Sequence, residues 1–384
     1  MERMVDVYIV GSKGIPAKYG GFETFVEELT KGKKSPNIQY HVSCMNADEK
    51  HFSHNSADCF NVKVPLPGPL GRIFHVSRAL SSIERDYNPK NENIVYVLGC
   101  RIGPLMKRHY RNLKRKGFKV FVNPDGLEWK RDKWNSLQKR FLKYCEKCLV
   151  THSDLSICDN KGIEKYINKK YPKAKTDYVA YGAYLKESSY DSSLFFDWLE
   201  SHSISKAGYY LIVGRFVPEN NYETMIREFM LSKTKRDLVI VTNVEKNKFF
   251  KRLLKETKFD SDSRIKIVGP IYDRELLLKV RENAYGYVHG HEVGGTNPSL
   301  LESLGSTNLN LLLNVDFNRE VGGSSALYWK KESLSLATLI NQAEGLSKKQ
   351  IAQFGEMAKN RVRELYNWPF IVDEYEKIFL GDGI

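Results

Sequence analysis

The sequence predicts an α/β fold made of two doubly wound domains in series. Short apolar segments alternate with amphipathic helical segments along the whole chain, which is typical of parallel sheets covered on both faces. The chain has 384 residues, about twice the length of a typical domain. Turns rich in Gly, Asn or Asp follow several strand-like segments, at the sheet edge where such folds bind ligands.

The first half begins this alternation. Its predicted strands are Val5–Val10, Tyr40–Met45, Ile94–Leu98, Lys119–Asn123, Asp154–Cys158 and Asp177–Tyr181. Its predicted helices are Phe22–Lys31, Ile73–Asp86, Ile102–Lys116 and Trp134–Leu149, with one more between the last two strands.

The second half repeats the rhythm after a Ser-rich polar join at Lys186–Lys206. Its predicted strands are Tyr209–Val213, Leu238–Thr242, Arg264–Val268, Tyr285–His289 and Asn310–Leu313. Its predicted helices are Tyr222–Ser232, Lys246–Lys258, Asp273–Arg281, Ser299–Leu304, Leu334–Gly345 and Lys348–Tyr366. We therefore expect an N-terminal domain over residues 1–190 and a C-terminal domain over 191–365, followed by a final segment, 366–384.

Composition excludes several classes of protein. Hydrophobic residues make up 41% and charged residues 28% of the chain, which allows a full core and argues against wholesale disorder. No segment approaches about 18 uninterrupted apolar residues, and the N-terminus lacks the apolar region of a signal peptide. The six cysteines contain one C-x-x-C pair, Cys145 and Cys148, without a second pair to complete a zinc site. We expect a cytoplasmic protein with reduced thiols.

The net charge of +14 indicates an anionic partner. Lys and Arg crowd the region 107–147, where aromatic residues are interleaved with them. Nucleic acid, an anionic membrane surface or a phosphorylated substrate would each suit such a surface. A solvated basic face is the alternative. We find no recognition-helix or RNA-binding motif and therefore expect no nucleic-acid partner.

The most informative segment runs from His289 to Glu302. Gly294 and Gly295 would let backbone approach a ligand, and the helix start predicted at Pro298, with Asn297 as its cap, would present free N–H groups to a phosphate. Glu302, one turn into the helix, could accept hydrogen bonds from a ribose. The alternative interpretation is a capping box, Ser299-Leu-Leu-Glu302, with no ligand.

Three further turns follow predicted strands. The first, Gly11–Gly21, is Gly-rich without the dinucleotide-binding spacing, and Gly20 and Gly21 precede a helix. Its alternative role is a flexible connector. The second, Gly214–Asn221, carries Arg215, whose planar fork suits a diphosphate. The third, Asn123–Arg131, brings two carboxylates, Asp125 and Glu128, together with Trp129, a combination suited to sugar binding. A plain Pro-Asp-Gly turn is the other interpretation.

Together these motifs resemble family 4 glycosyltransferases. The C-terminal part of the resemblance rests on Gly214-Arg215…Pro218-Glu219, Gly-Gly-Thr-Asn-Pro-Ser-Leu-Leu-Glu302 and Tyr366-Asn-Trp368…Tyr375-Glu. The N-terminal part rests on Gly14-Ile-Pro-Ala-Lys-Tyr-Gly-Gly-Phe-Glu-Thr24, Asp125-Gly-Leu-Glu-Trp-Lys-Arg131 and Asp159-Asn160, and it is similar to a rhamnosyltransferase subgroup. The resemblance implies the GT-B fold: two facing Rossmann-like domains with an interdomain cleft, acceptor-binding at the N-terminal domain and nucleotide-sugar-binding at the C-terminal one. It also implies that the segment 366–384 is a helix that returns to the N-terminal domain.

The resemblance also implies roles for single residues. The predicted catalytic residues are Arg215, which would neutralise the donor diphosphate, Asp125 and Glu292. The predicted donor-binding residues are Gly20, Gly21, Asn220, Gly294, Gly295, Thr296, Asn297 and Glu302, and the predicted acceptor-binding residues are Tyr19, Glu128, Trp129 and Arg131.

Two positions depart from the family pattern. Gly294 stands where the first Glu of the family's E-x7-E motif is expected, and Asn220 replaces its phosphate-binding Lys. Glu292 is the nearby carboxylate that could take the place of the missing Glu.

The implied activity is retaining transfer of a sugar, L-rhamnose from dTDP-rhamnose, to a lipid-linked (undecaprenyl diphosphate) sugar in capsule or cell-surface polysaccharide assembly. Other UDP- or GDP-hexose donors, or a nucleotide-sugar epimerase on the same fold, are the alternatives. We expect no cofactor and no metal requirement, since no D-x-D or His cluster is present. We also expect peripheral binding to the inner face of an anionic membrane through the basic N-terminal domain.

Overall fold

The computed structural model describes residues 4–18, 20–46, 48, 50–64, 68–131, 133–206 and 208–382. The chain divides into two compact units: unit 1 is Met1–Gly182 with Trp368–Ile384, and unit 2 is Ala183–Asn367. The first unit thus ends at Gly182 rather than at the expected residue 190. The reason is that the chain after Gly182 is bonded to unit 2, where Ser188 N donates to Glu282 at 2.7 Å and Ser189 N donates to Glu275 at 2.8 Å.

Unit 1 contains an eight-stranded sheet in the order β3-β4-β2-β1-β5-β6-β7-β8. All neighbours pair in parallel except the edge strand β3, which is antiparallel to β4. Its strands are β1 (Val5–Val10), β2 (Ile38–Asn46), β3 (His51–His54), β4 (Ala57–Lys63), β5 (Glu92–Leu98), β6 (Lys119–Asn123), β7 (Leu155–Cys158) and β8 (Thr176–Tyr178). Its first helices are α1 (Gly21–Lys31), α2 (Gly68–Ile83), α3 (Met106–Arg115), α4 (Ser136–Thr151) and α5 (Lys161–Lys170).

Unit 2 contains a six-stranded sheet, entirely parallel, in the order β11-β10-β9-β12-β13-β14. Its strands are β9 (Tyr209–Val213), β10 (Asp237–Val241), β11 (Ile265–Gly269), β12 (Gly286–His289), β13 (Asn310–Leu313) and β14 (Leu327–Trp329). Its helices are α6 (Ser192–Ser201), α7 (Tyr222–Leu231), α8 (Lys248–Thr257), α9 (Arg274–Glu282), α10 (Pro298–Ser306), α11 (Asp316–Gly322), α12 (Ser335–Glu344) and α13 (Lys348–Leu365). The last helix, α14 (Trp368–Leu380), belongs to unit 1.

The predicted α/β alternation is confirmed, and the differences are local. The hairpin of β3 and β4 was not predicted, because β3 is polar and mostly exposed. Asn55 and Ser56 join these strands, both with positive φ, as a tight hairpin turn requires. The helix predicted at Ile102–Lys116 begins instead as a 3₁₀ helix, Cys100–Leu105, since Gly103 has a φ of 48° and Pro104 follows it.

Each sheet has one point where its winding reverses, and ligands bind beyond the strand ends at such points. In unit 1 this point lies between β1 and β5, and in unit 2 between β9 and β12. The loops of interest follow these four strands or β6, the neighbour of β5. The fold therefore gathers them at the carboxyl edge of each sheet.

Candidate functional site

The loops after β9 and β12 form one connected structure in unit 2. Asn221, in the left-handed region with a φ of 56°, donates from its side chain to the Gly290 carbonyl at 2.8 Å. Glu292 N donates to the Glu219 carbonyl at 3.3 Å. A Cβ at Gly290 would lie 2.5 Å from the Asn220 carbonyl oxygen, so only glycine allows the two loops to approach this closely. These contacts hold the two loops at the switch point of unit 2 in a fixed arrangement.

Arg215 is the exposed cation of this loop pair. Within the described residues its guanidinium makes no hydrogen bond or ion pair, which leaves its fork available to an anion. Asn220, predicted to bind the donor, is 4% exposed, and its side chain donates to the Arg215 carbonyl at 2.8 Å. The Asn220 side chain therefore shapes the loop that carries Arg215.

Helix α10 begins where the sequence predicted. Asn297 is its cap, with a side-chain oxygen that accepts from Ser299 N at 3.0 Å and Leu300 N at 3.3 Å, and Pro298 is its first residue. These two N–H groups are therefore not free for a phosphate, contrary to expectation. The preceding residues Gly294, with a φ of 149°, and Gly295 carry the backbone that approaches the helix start. Thr296 is buried.

The capping-box interpretation of Ser299 and Glu302 is wrong. Ser299 lies inside the helix, and its hydroxyl donates to the Val213 carbonyl at 3.1 Å. Glu302 instead forms an ion pair with Arg281 at 2.6 Å, in which the Glu302 side chain is 49% exposed and that of Arg281 only 6%. Arg281 also donates to the Ser299 hydroxyl at 3.4 Å. Glu302 thus presents a carboxylate to solvent while a buried guanidinium holds it from below.

Two other side chains of this loop have partners of their own. Glu292, the predicted substitute for the missing Glu, forms an ion pair with Lys331 and accepts from Asn221 at 3.3 Å. His289 is buried and stacks on His291 with ring centroids 4.4 Å apart. Burial and the neighbouring His291 hold the pKa of His289 well below its ordinary value, so His289 is neutral at physiological pH.

In unit 1, the Gly-rich loop after β1 is held by two glutamates of α1. Glu23 accepts from Lys13 N at 2.8 Å, and Glu27 accepts from Ala17 N at 2.9 Å. Gly20 caps α1 with a φ of 133°, and Gly21 is its first residue, with open space where a Cβ would stand. The loop is therefore ordered by α1. Tyr19, predicted to bind the acceptor, lies outside the described residues.

The predicted sugar-binding turn lines a small cavity after β5 and β6, formed by Cys100, Arg101, Asp125, Glu128, Trp129, Leu142 and Glu146. Arg131 pairs with Glu128 at 2.6 Å, and Lys133 pairs with it at 2.9 Å. Burial raises the pKa of Glu128, but these cations outweigh it and leave that pKa below the ordinary value. Glu128 is therefore a carboxylate at neutral pH.

Trp129 is fixed by contacts that the sequence did not reveal. Its indole N–H donates to Glu146 at 2.9 Å, and the ammonium group of Lys143 lies 4.4 Å from the ring centroid. Glu146 is 2% exposed and also accepts from Tyr166 at 2.8 Å and Tyr171 at 2.9 Å. One face of the Trp129 ring is thus occupied by a lysine rather than being open to a sugar.

Sequence reasoning missed Arg281 and Glu146. Both lie inside amphipathic helices, where a charged residue usually marks the solvated face. The two residues could have been recognised only as charges at positions that face the core. Identifying such positions requires knowing which residues of each helix point inward.

Within the described ranges, no group of three or more His, Cys, Asp or Glu side chains could hold a metal ion. All six cysteines are buried free thiols. In the same ranges no helix is both long and apolar enough to cross a bilayer.

Comparisons with known proteins address the fold. Residues 4–184 match a family model described as a domain of unknown function, DUF1972. No curated protein matches the sequence.

Several solved structures are similar in fold to this chain over almost its whole length. Sucrose-phosphate synthase from Thermosynechococcus elongatus superposes with a TM-score of 0.77 at 14% identity, covering 98% of both chains. A glycosyltransferase from Rickettsia africae gives 0.74 at 13% identity over 100% of both chains. HepE of Anabaena, solved with UDP and glucose, gives 0.72 at 12% identity over 98% of this chain and 100% of its own. The chain therefore has the GT-B fold of glycosyltransferases.

Proposed function

We propose that the protein is a retaining glycosyltransferase that moves L-rhamnose from dTDP-rhamnose to a lipid-linked (undecaprenyl diphosphate) sugar in cell-surface polysaccharide assembly. The observation that carries the transferase assignment is the loop pair of unit 2. It combines the exposed Arg215, the Gly294–Thr296 backbone and the Arg281-held Glu302 at one switch point. HepE, which shares this fold, was solved with UDP and glucose.

In this proposal each element has one task at the donor. Glu302 accepts hydrogen bonds from ribose hydroxyls, and Arg215 bonds the diphosphate. The bond from the acceptor hydroxyl oxygen to the sugar forms as the bond from the sugar to the diphosphate breaks, on the same face. The hydroxyl proton passes to a diphosphate oxygen, while Arg215 and backbone amides stabilise the negative charge that develops there. No protein nucleophile is needed.

The test of the donor site is Arg215→Ala, compared with Arg274→Ala, which removes another exposed arginine of unit 2. We expect the dissociation constant for dTDP to rise at least about tenfold in Arg215→Ala, since one charge-assisted contact is lost, and to stay unchanged in Arg274→Ala. Calorimetry measures both values. Equal affinities in the two variants would remove Arg215 from the diphosphate site.

The donor sugar is tested by thermal shift with dTDP-, UDP- and GDP-sugars. The rhamnose assignment is supported by the N-terminal motifs and by Gly294, which stands where glucose-type donors are expected to meet a carboxylate. We expect dTDP-rhamnose to raise the melting temperature most, because the true donor binds most tightly. A ligand at a hundred times its dissociation constant stabilises the folded protein by about 2.7 kcal/mol. A larger shift with a UDP- or GDP-hexose would identify that nucleotide sugar, and not dTDP-rhamnose, as the donor.

We also propose that unit 1 binds an anionic membrane surface through α3 and α4. On α4, Leu137, Arg140, Phe141 and Tyr144 follow one helical stripe, and the three apolar members are 76%, 48% and 52% exposed. Exposed cations of α3, among them Arg108 and Arg111, supply positive charge. An apolar stripe flanked by cations suits the headgroup region of a bilayer.

Sedimentation with vesicles of phosphatidylglycerol and phosphatidylcholine tests this surface. Arg108→Glu with Arg140→Glu should weaken binding to the anionic vesicles by more than about a hundredfold, since each cation near such a surface contributes about 1 kcal/mol and reversal doubles the loss. Arg252→Glu with Arg274→Glu in unit 2 is the control with the same charge change. Identical vesicle binding by both double variants would refute the assignment.

A further inference from the structure

Two arginines of unit 1 are placed at the carboxyl edge of its sheet. Arg101 follows β5 directly, beside the switch point between β1 and β5. Arg72 lies near the beginning of α2, which follows the parallel strand β4 and therefore starts at the same edge. It also shares the helical face of buried residues at the spacings i+4, i+7, i+8 and i+11, namely Val76, Ala79, Leu80 and Ile83. Arg72 thus faces inward, where α2 packs on the 3₁₀ helix that carries Arg101.

The positive charges of these two guanidinium groups repel each other, and no anionic side chain of the described residues bridges them. Both are half-buried, and within the described residues neither makes a hydrogen bond or an ion pair. Burial, followed by the charge of Arg101, lowers the pKa of Arg72. Two like charges that act on each other at half-buried positions destabilise the free protein, so an anion bound by both guanidinium groups would relieve their repulsion.

The nearby carboxylates act on this pair but are engaged elsewhere. Glu23 accepts from Lys13 N at 2.8 Å, and Glu128 is paired with Arg131 and Lys133 at 2.6 and 2.9 Å. Arg101 also lines the cavity that contains Asp125 and Glu128. Carboxylates accept hydrogen bonds from sugar hydroxyls, whereas guanidinium groups bind phosphate. Together, the two kinds of side chain suit a ligand that has both groups.

We propose that Arg72 and Arg101 bind a phosphate or diphosphate group of the acceptor, whose sugar hydroxyls meet Asp125 and Glu128. This inference rests on the proposed transferase function and names the residues that would hold the phosphate of its acceptor, whether that phosphate is carried by the sugar or by the lipid. Binding can be measured without turnover, so the inference is tested separately from the transfer reaction.

The experiment is calorimetric titration of the full chain carrying Arg215→Ala, which removes the exposed cation of unit 2. The probes are glucose 1-phosphate, farnesyl diphosphate and glucose. We expect Arg72→Gln and Arg101→Gln each to weaken binding of a phosphorylated probe about tenfold to a hundredfold. Arg85→Gln, at an exposed arginine of unit 1 whose guanidinium donates to the Ser81 carbonyl at 3.1 Å, should change nothing. Binding of glucose should not depend on either arginine.

The two phosphorylated probes distinguish the source of the phosphate. Arginine-dependent binding of glucose 1-phosphate supports a phosphate on the sugar, and arginine-dependent binding of farnesyl diphosphate supports a lipid diphosphate. Equal affinity of all three Gln variants for both probes, or no binding of either probe, would overturn the proposal.

Melting temperatures separate binding from folding. Removing one of two repelling cations should leave the melting temperature of the free protein unchanged or higher. If a Gln variant unfolds, Arg→Lys at the same position keeps the charge, loses the planar fork, and should still weaken phosphate binding several-fold.

The donor and acceptor assignments can fail independently. If Arg72→Gln and Arg101→Gln abolish phosphate binding while nucleotides do not shift the melting temperature of a chain that keeps Arg215, the acceptor site stands and the donor assignment fails. If nucleotides still raise the melting temperature but phosphate binding does not depend on either arginine, the donor assignment stands and the acceptor site fails.

Discussion

At the scale of single residues, Glu302 shows what a motif can and cannot predict. The spacing of the Gly-Gly turn and the helix start placed Glu302 on the first turns of α10, and the structure has it there with a half-exposed carboxylate. Its partner Arg281 lies on α9 and reaches Glu302 only because the fold packs α9 against α10. Contacts between residues of different elements depend on packing, which local sequence patterns do not specify.

We predict that Glu302→Gln weakens both donor binding and unit 2. Arg281 would keep its charge in a site that is 6% exposed while losing its ionic partner. The free energy of unfolding should fall by about 1–2 kcal/mol, because the buried guanidinium exchanges a charge-assisted hydrogen bond for a weaker one to a neutral amide oxygen. Urea denaturation measures the stability, and calorimetry with dTDP-rhamnose measures the affinity.

The matched control is Glu256→Gln on α8, where the side chain is exposed. It should change the free energy of unfolding by less than about 0.5 kcal/mol. If Glu302→Gln is as stable as this control, the Arg281 pair contributes nothing to unit 2. If stability falls while donor affinity is unchanged, Glu302 is structural only.

At the scale of elements, the long and strongly patterned segments were predictable and some of the short ones were not. The strands β1, β5 and β9 are almost entirely buried and read as apolar runs, apart from Asp6 in β1 and from Glu92 and Asn93 at the start of β5. The three residues of β14 and the seven of α11 are too short for a period to be recognised, and neither was predicted. Short elements of this kind are stabilised by neighbours in the sheet more than by their own sequence.

The start of α10 provides a prediction at this scale. Asn297→Ala should lower the free energy of unfolding of unit 2 by about 1 kcal/mol, because two N–H groups lose their side-chain acceptor. Asn297→Asp keeps that acceptor and should remain within a few tenths of the wild type. Urea denaturation compares the two variants. If both are equally destabilised, the role of Asn297 lies in its amide N–H₂ group rather than in the cap.

At the scale of the whole molecule, the chain completes unit 1 only at its end. Helix α14 places Tyr375 and Phe379 in the core of unit 1, where the hydroxyl groups of Tyr375 and Tyr96 are 3.3 Å apart. The ring of Phe379 lies 5.9 Å from that of Tyr96 and 6.3 Å from that of Tyr40. The family resemblance, and not the apolar pattern, was the basis for expecting a helix here and for its return to the first domain. Unit 1 therefore lacks part of its core until all of unit 2 has been synthesised.

This arrangement predicts that the two units respond differently to a change in α14. Phe379 is fully buried, so Phe379→Ala should destabilise unit 1 by about 3–5 kcal/mol through lost burial and a cavity. Phe370→Ala on the same helix, at a side chain that is 38% exposed, should cost less than about 1 kcal/mol.

Proteolysis in increasing urea, with fragments identified by mass spectrometry, follows each unit separately. Cleavage in Phe379→Ala should move to lower urea for sites in unit 1, while dTDP should still protect sites in unit 2, because Arg215 and Glu302, proposed to bind the diphosphate and the ribose, both belong to that unit. Loss of dTDP protection in Phe379→Ala but not in Phe370→Ala would mean that the donor site depends on the integrity of unit 1, and the two units would then form a single cooperative structure.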